Sequence, residues 1–162
     1  MSKGAAAPPA GRRVLVRVPM RWADMDAYGH INNVNIVRMM EEARIAAFGV
    51  PGGTGRPGVE PAVDLFANVP AGTQVLVVEH RVRYAQPLEY RNIPAEVDVW
   101  ASNPKAASFD ISYEFRDPAD GHVCVRALTT LAFFSTADQR LMRLPAEHRS
   151  ALAGFVGPPA VG

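Results

Sequence analysis

Cysteine occurs once in this chain, at Cys124. That excludes an intramolecular disulfide framework and any cysteine-based metal cluster. Cys124 stands in an alternating apolar run, which reads as a buried structural thiol, not a nucleophile. An excess of charge is also lacking: 17 basic against 16 acidic residues leave a net charge of +1. No bulk field therefore draws the protein to nucleic acid or an anionic membrane, and no basic block with interleaved aromatics appears. Neither partner is expected. No apolar run reaches the roughly 18 residues of a membrane helix. His80, His122 and His148 show no metal-ligand spacing with one another or with carboxylates, so no metal and no cofactor are expected.

What is present is the make-up of one globular domain: 48% hydrophobic and 20% charged residues over a length of 162. Residues 1–11 are small and Pro-rich, without the apolar centre of a signal peptide, and read as a disordered lead-in to a cytoplasmic protein. The domain is expected over 12–156, with 157–162 a flexible tail. The richness in Ala, Pro, Gly and Arg hints at a bacterial source.

Five stretches read as strands. The first is the β-branched run 14–18, stopped by Pro19, which cannot donate to a sheet ladder. Next, 74–84 alternates, with Leu76, Val78, His80, Val82 and Tyr84 on one face. A third runs over 93–101. Over 108–116, Phe109, Ile111, Tyr113 and Phe115 share a face. The nearly all-apolar stretch 122–134 predicts burial on both faces, and the turn Asp117–Gly121 makes it a hairpin with its predecessor.

Between the first two strands, 34–48 is helical. Ile36, Met39, Met40, Ala43, Ala46 and Ala47 share one arc, with Gly49 as C-cap and Pro51 as the stop. That arc is wider than a surface helix needs, which predicts a sheet wrapped around it. A short helix is expected over 145–155. The Gly/Pro-rich stretch 51–73 reads as a lid, a substrate-access segment or a subunit contact. The fold class is thus α+β, an antiparallel five-stranded sheet around one long central helix.

Chemistry-bearing residues crowd into Asp24-Met25-Asp26-Ala27-Tyr28-Gly29-His30-Ile31-Asn32-Asn33, just before that helix. Gly29 permits a turn and the Asn pair sits where an N-cap belongs. A helix N-terminus favours negative charge, so this loop suits an anionic group or a developing oxyanion. An ordinary polar connection has the same composition. Glu41, at the border of the apolar arc, is either a surface partner of Arg44 or a half-buried carboxylate near the loop.

These residues, the Glu41-Glu42-Ala43-Arg44 end of the helix and Arg83-Tyr84-Ala85-Gln86-Pro87-Leu88 resemble the hotdog-fold thioesterases. The likeness is to the 4-hydroxybenzoyl-CoA thioesterase-like group and covers about Val14 to Phe134. It implies a hotdog fold and hydrolysis of an acyl-CoA or acyl-carrier-protein thioester. It also implies Asp26 as the catalytic carboxylate, the backbone N–H of Asn33 as the donor to the thioester carbonyl, and Gly29 shaping the approach. The plant acyl-carrier-protein thioesterases have a matching active-site histidine, which falls on His30, but their asparagine falls on Tyr28. Homodimers or homotetramers are implied as well.

Asp26 is open to two roles, nucleophile or general base on water. His30 either orients water or bonds a backbone carbonyl. Asp24 is expected to be structural, bonding loop N–H groups in an Asx turn. Tyr28 and Met40 are expected at the substrate, with Met40 helping to set pocket depth. Arg83 and Lys105, with Arg81, are candidates for the phosphates of coenzyme A. Two rival readings are a non-catalytic acyl-CoA-binding module and a hotdog dehydratase pairing His30 with Asp26.

Overall fold

The computed structural model describes residues 11–50, 60–66 and 69–162. The first ten residues of the expected lead-in, and 51–59 and 67–68 of the expected lid, lie outside the described residues. In chain order the elements are β1 (Val14–Val18), a 3-10 turn (Trp22–Asp24), α1 (Asn33–Phe48), β2 (Thr73–Tyr84), β3 (Ala95–Ser102), β4 (Ser108–Arg116), β5 (Val123–Ser135), β6 (Arg140–Leu141) and α2 (Ala146–Ala153). The sheet runs β1-β3-β4-β5-β2, antiparallel throughout, with the two-residue β6 paired to β5. It is the hotdog arrangement, five long strands around one helix, with β6 as an added sixth.

The wide apolar arc of α1 explains the wrapping. Ile36, Met39, Met40, Ala43, Ala47 and Phe48 are fully or almost fully buried. They meet the inner faces of β3 (Val97, Val99, Ala101), β4 (Phe109, Ile111, Tyr113, Phe115) and β5 (Val125, Ala127, Leu131, Phe133). Each large side chain so buried contributes about 1.5–3 kcal/mol. Gly49 ends the helix at φ +75°, its N–H donating to the Ile45 carbonyl at 2.9 Å.

Two expectations are corrected. Strict alternation put Leu76 and Val78 with His80 on β2. The ladder to β5 instead slips between Val77 and Glu79, leaving Val78 without a ladder partner. A bulge adds one residue and resets the phase, so Val75 and Val77 share the inner face with His80, Val82 and Tyr84. The second concerns 157–162, expected as a flexible tail. This segment instead straps the outer face of β3 and β4. The Gly157 N–H donates to the Ala101 carbonyl (2.9 Å), Trp100 Nε1 to the Pro158 carbonyl (2.8 Å) and the Ala160 N–H to Ser112 Oγ (3.0 Å). Val161 is buried there. The strap accounts for the burial of Trp100 and Ser112 on an outer face that otherwise carries charged residues such as Asp98 and Asp110.

Candidate active site

The stretch 21–33 folds into two tight turns that are joined through Asp24. Asp24 is fully buried. Its Oδ1 accepts from Arg21 Nη2 (2.9 Å) and Nε (3.2 Å), and its Oδ2 from the Arg21 backbone N–H (2.8 Å) and Arg38 Nη2 (2.9 Å). Burial alone would raise this carboxyl, but the Arg21 hydrogen bonds and the Arg38 charge together hold it below the ordinary carboxylate value. The Asp24 carbonyl takes the Asn32 N–H (2.8 Å) and Asn35 Nδ2 (3.2 Å), which fixes the start of α1 to the turn. Asp24 is a structural residue, as expected, but through two guanidinium groups. The Asx turn belongs to its neighbour.

Asp26 makes that turn. Its Oδ1 accepts from the N–H groups of Tyr28 (2.8 Å) and His30 (3.1 Å), and its own N–H donates to the His30 carbonyl (2.7 Å). No described group bonds Oδ2. The carboxylate is therefore held by one oxygen and half-buried, with the other oxygen free. Gly29 closes the turn at φ +78°, its N–H on the Asp26 carbonyl at 3.2 Å. The turn docks on residues 88–90 through Ile31 N–H to the Leu88 carbonyl (2.7 Å) and Tyr90 N–H to the Gly29 carbonyl (3.0 Å). A Cβ added at Gly29 would meet nothing within 4 Å. Gly29→Ala therefore costs only backbone strain, about 1–2 kcal/mol. Chemical denaturation of the variant is expected to read that loss, with a wild-type unfolding slope.

At the helix start, Asn32 is the N-cap and its Oδ1 accepts the Val34 N–H at 3.0 Å. The Asn35 and Ile36 N–H groups donate to the Asn32 carbonyl at 2.9 and 3.2 Å. Of the four first-turn donors that every helix leaves over, only that of Asn33 has no acceptor among the described residues. The resemblance put the carbonyl donor on this residue, and the cap leaves its N–H without an acceptor among the described residues. The Asn33 carbonyl accepts the Tyr84 hydroxyl at 3.2 Å. Sequence reasoning missed this link between the end of β2 and the start of α1. It also missed Arg38, which lies outside the apolar arc of the helix and reaches Asp24 Oδ2 at 2.9 Å.

The other expected site residues are scattered. Tyr28 is 83% exposed, with its ring 6.3 Å from that of His30. Glu41 is exposed, not half-buried, and its Oε2 stands 3.8 Å from Nη2 of Arg44, whose side chain is largely covered. Met40 is fully buried in the core. Arg83 is exposed and directly opposite Arg126 in the ladder, whereas Arg81 is engaged with Glu79 at 2.9 Å. Lys105 lies in the β3–β4 turn, beside the Ala132 end of β5, while Tyr84 pairs at Val125 near its other end. Within one chain Lys105 is thus remote from Asp26.

One group has metal-like proximity: Asp117, His122 and Cys124, with ligand atoms within 4.8 Å of one another. The sequence reading found no metal-ligand spacing between His122 and any carboxylate, whereas the fold brings it next to Asp117 and Cys124. Both Asp117 oxygens are already taken by Arg91 Nε (3.0 and 3.2 Å), and burial pushes the Cys124 thiol up to about 11. A neutral thiol beside a guanidinium-bound carboxylate does not suit a divalent cation.

Comparisons with known proteins agree with the fold. A thioesterase-like superfamily matches residues 20–152. No curated protein matches the chain. Among solved structures, it is similar to a predicted thioesterase from Bacillus stearothermophilus, with TM-score 0.72 and 18% identity, covering 91% of this chain and 99% of that one. A Thermus thermophilus thioesterase complexed with coenzyme A and Zn gives TM-score 0.65 and 21% identity, covering 91% and 96%. A 1,4-dihydroxy-2-naphthoyl-CoA thioesterase from Synechocystis gives 0.63 and 16%, covering 87% and 94%. These identities speak for the fold alone. The match over 20–152 takes in the loop, the helix and every long strand from β2 to β5, and on it the chain belongs to the thioesterase-like superfamily.

Proposed function

We propose that this protein hydrolyses an acyl-CoA thioester, with Asp26 as the reacting carboxylate and the Asn33 N–H as the oxyanion donor. Membership of the thioesterase-like superfamily supports thioester hydrolysis as the reaction. The observation that carries the residue assignment is a pairing within one loop. One carboxylate oxygen of Asp26 is pinned by two backbone N–H groups, the other is free, and the same loop leads into the one uncapped first-turn N–H of α1.

A thiolate leaves readily, so the enzyme must supply only a nucleophile and a place for the carbonyl's growing charge. With Asp26 as base, its free oxygen takes a proton from water while the water oxygen attacks the carbonyl carbon. The oxyanion rests on the Asn33 N–H at the positive end of α1. It then collapses, the C–S bond breaks, and the departing thiolate leaves with the proton. With Asp26 as nucleophile, the same oxygen forms a mixed anhydride that water then opens. Both routes use the same groups. His30 acts through its main chain, and Gly29 provides the turn. Arg83, opposite Arg126, is the cation for a coenzyme A phosphate. The Thermus relative's complex with coenzyme A supports that class of thiol.

Release of thiol from acyl-CoAs, followed with a thiol-reactive dye, tests the reading. Hydrolysis frees coenzyme A. A dehydratase leaves the thioester intact, and a binding module changes nothing; either result overturns the proposal.

The working unit is a second copy of the chain added at β2. This strand is an edge exposed along most of its length, with Leu76, Val77, Val78 and Tyr84 each 40–64% exposed. A long apolar edge invites strand pairing. Val78→Lys is expected to halve the native mass in light scattering. A monomeric wild type would sink the idea. None of the described helices is long and apolar enough to cross a membrane.

A further inference from the structure

A cavity of about 270 Å³ lies between the C-terminal end of α1 and the inner faces of β2 and β5. Val50, Phe66, Val75 and Leu131 give it apolar walls, and Arg44 gives it a cation. The Arg44 side chain is only 12% exposed. Its Nη1 is buried with no hydrogen-bond partner. Its one acidic neighbour, Glu41, stands off at 3.8 Å and is 63% exposed, so that attraction is largely screened. A buried guanidinium donor without an acceptor is costly unless something is bound there.

The Tyr113 hydroxyl is the one neutral acceptor in reach of the Arg44 guanidinium, and Nη1 is still left without a partner among the described residues. Across the sheet, Tyr113 donates to Thr129 Oγ1 (3.2 Å), and His80 Nδ1 is 2.9 Å from the same oxygen. Burial raises the Tyr113 phenol, so it stays neutral, and burial with the nearby Arg44 charge lowers His80, so it is neutral at pH 7. Arg44 is left as the single cation of this row.

The cavity is also connected to the loop through two shared elements. At one end β2 touches α1 through the Tyr84 hydroxyl on the Asn33 carbonyl. At the other, Thr73 and Val75 of β2 face Gly49 and Val50 just beyond α1. Asn33 and Arg44 both lie on the side of α1 that faces β2, eleven residues of helix apart, or about 16 Å at 1.5 Å per residue. Between those two positions stand partly buried Val37 of α1 and, on the inner face of β2, exposed Val77 and partly buried Val82.

We propose that the acyl chain lies along this side of α1 against β2 and that Arg44 receives a carboxylate at its far end, making the preferred substrate a dicarboxylic mono-acyl-CoA. This rests on the thioesterase reading, since Asn33 marks the carbonyl end. Apolar walls with one convergent cation are the pattern of a site that accepts a chain and selects its terminus.

The test compares dicarboxylyl-CoAs of graded length with monocarboxylyl-CoAs of equal length. Wild type is expected to favour the carboxyl-terminated substrate by about 10- to 100-fold in kcat/KM, the size of a charge-assisted hydrogen bond. Arg44→Met removes that preference while cleaving the plain chains, and Arg44→Lys retains part of it. An equal rate on both series, or a preference unchanged in Arg44→Met, overturns the proposal. Should no acyl-CoA be cleaved, the thioesterase reading fails instead, and the cavity is then read by calorimetry with free sebacate against decanoate. Sebacate binding that is lost in Arg44→Met, or blocked by Val75→Phe, supports the carboxylate site. No sebacate binding to wild type overturns it.

Discussion

Asp26→Asn is expected to stop thioester cleavage and leave the fold untouched. The carboxamide oxygen of asparagine can still accept from the Tyr28 and His30 N–H groups, so the turn that Oδ1 organises persists. What is lost is the second oxygen as a base or nucleophile. A positioned base typically contributes about 10²–10⁴-fold, so kcat should fall by roughly that factor with the melting temperature unchanged. Asp26→Ala adds a second effect, because it orphans two backbone donors and loosens the loop. Comparing the two separates chemistry from architecture. Cleavage by Asp26→Asn within a few-fold of wild type would remove Asp26 from the mechanism.

Asp24→Asn should do the reverse. Asp24 is fully buried between Arg21 and Arg38, and neutralising it leaves both cations without their counter-charge. Breaking a buried pair typically costs 3–5 kcal/mol; about 3 is expected here, because both arginines are partly solvated and lose less when unpaired. At this chain length that is on the order of 10 °C in melting temperature. The pH dependence has a definite sign. The folded carboxyl lies below its unfolded value, so its contribution is fully present above about pH 4 and is lost as the pH falls through the depressed folded value. Wild type and Asp24→Asn should therefore differ most near neutrality and converge in acid. Equal denaturation midpoints at pH 7 would mean that the two ion pairs carry no net stability.

Two adjacent acids thus have opposite roles, and the contrast marks what could be read ahead of the structure. The sequence has Asp24 and Asp26 one residue apart in a loop ending in an N-cap, and the resemblance to the thioesterases puts the helix-start donor on Asn33. It does not say which acid makes the Asx turn. That depends on Arg38, which projects from the opposite side of the helix pattern and reaches the turn only once α1 is laid against it. Glu41 and Arg44 show the same limit. Their i,i+3 spacing reads as a solvent pair, yet Arg44 is covered by β2 and β5 while Glu41 stays out.

What the sequence determined alone are the periodic features: the strands of β3, β4 and β5, the helix stopped at Gly49, the turn at Gly121 and the loop ahead of α1. Each is written locally, as a period of two or 3.6 or as a residue with a special φ. The tertiary structure decided the rest, because contacts between distant residues leave no local trace. The bulge at Val78 resets β2 against β5, and the strap from Gly157 to Gly162 covers β3 and β4. Burial by β2 and β5 turns an ordinary helix arginine into the cation of a cavity, with its Nη1 left over. Long-range packing, which no short window of sequence carries, selected among locally equal readings.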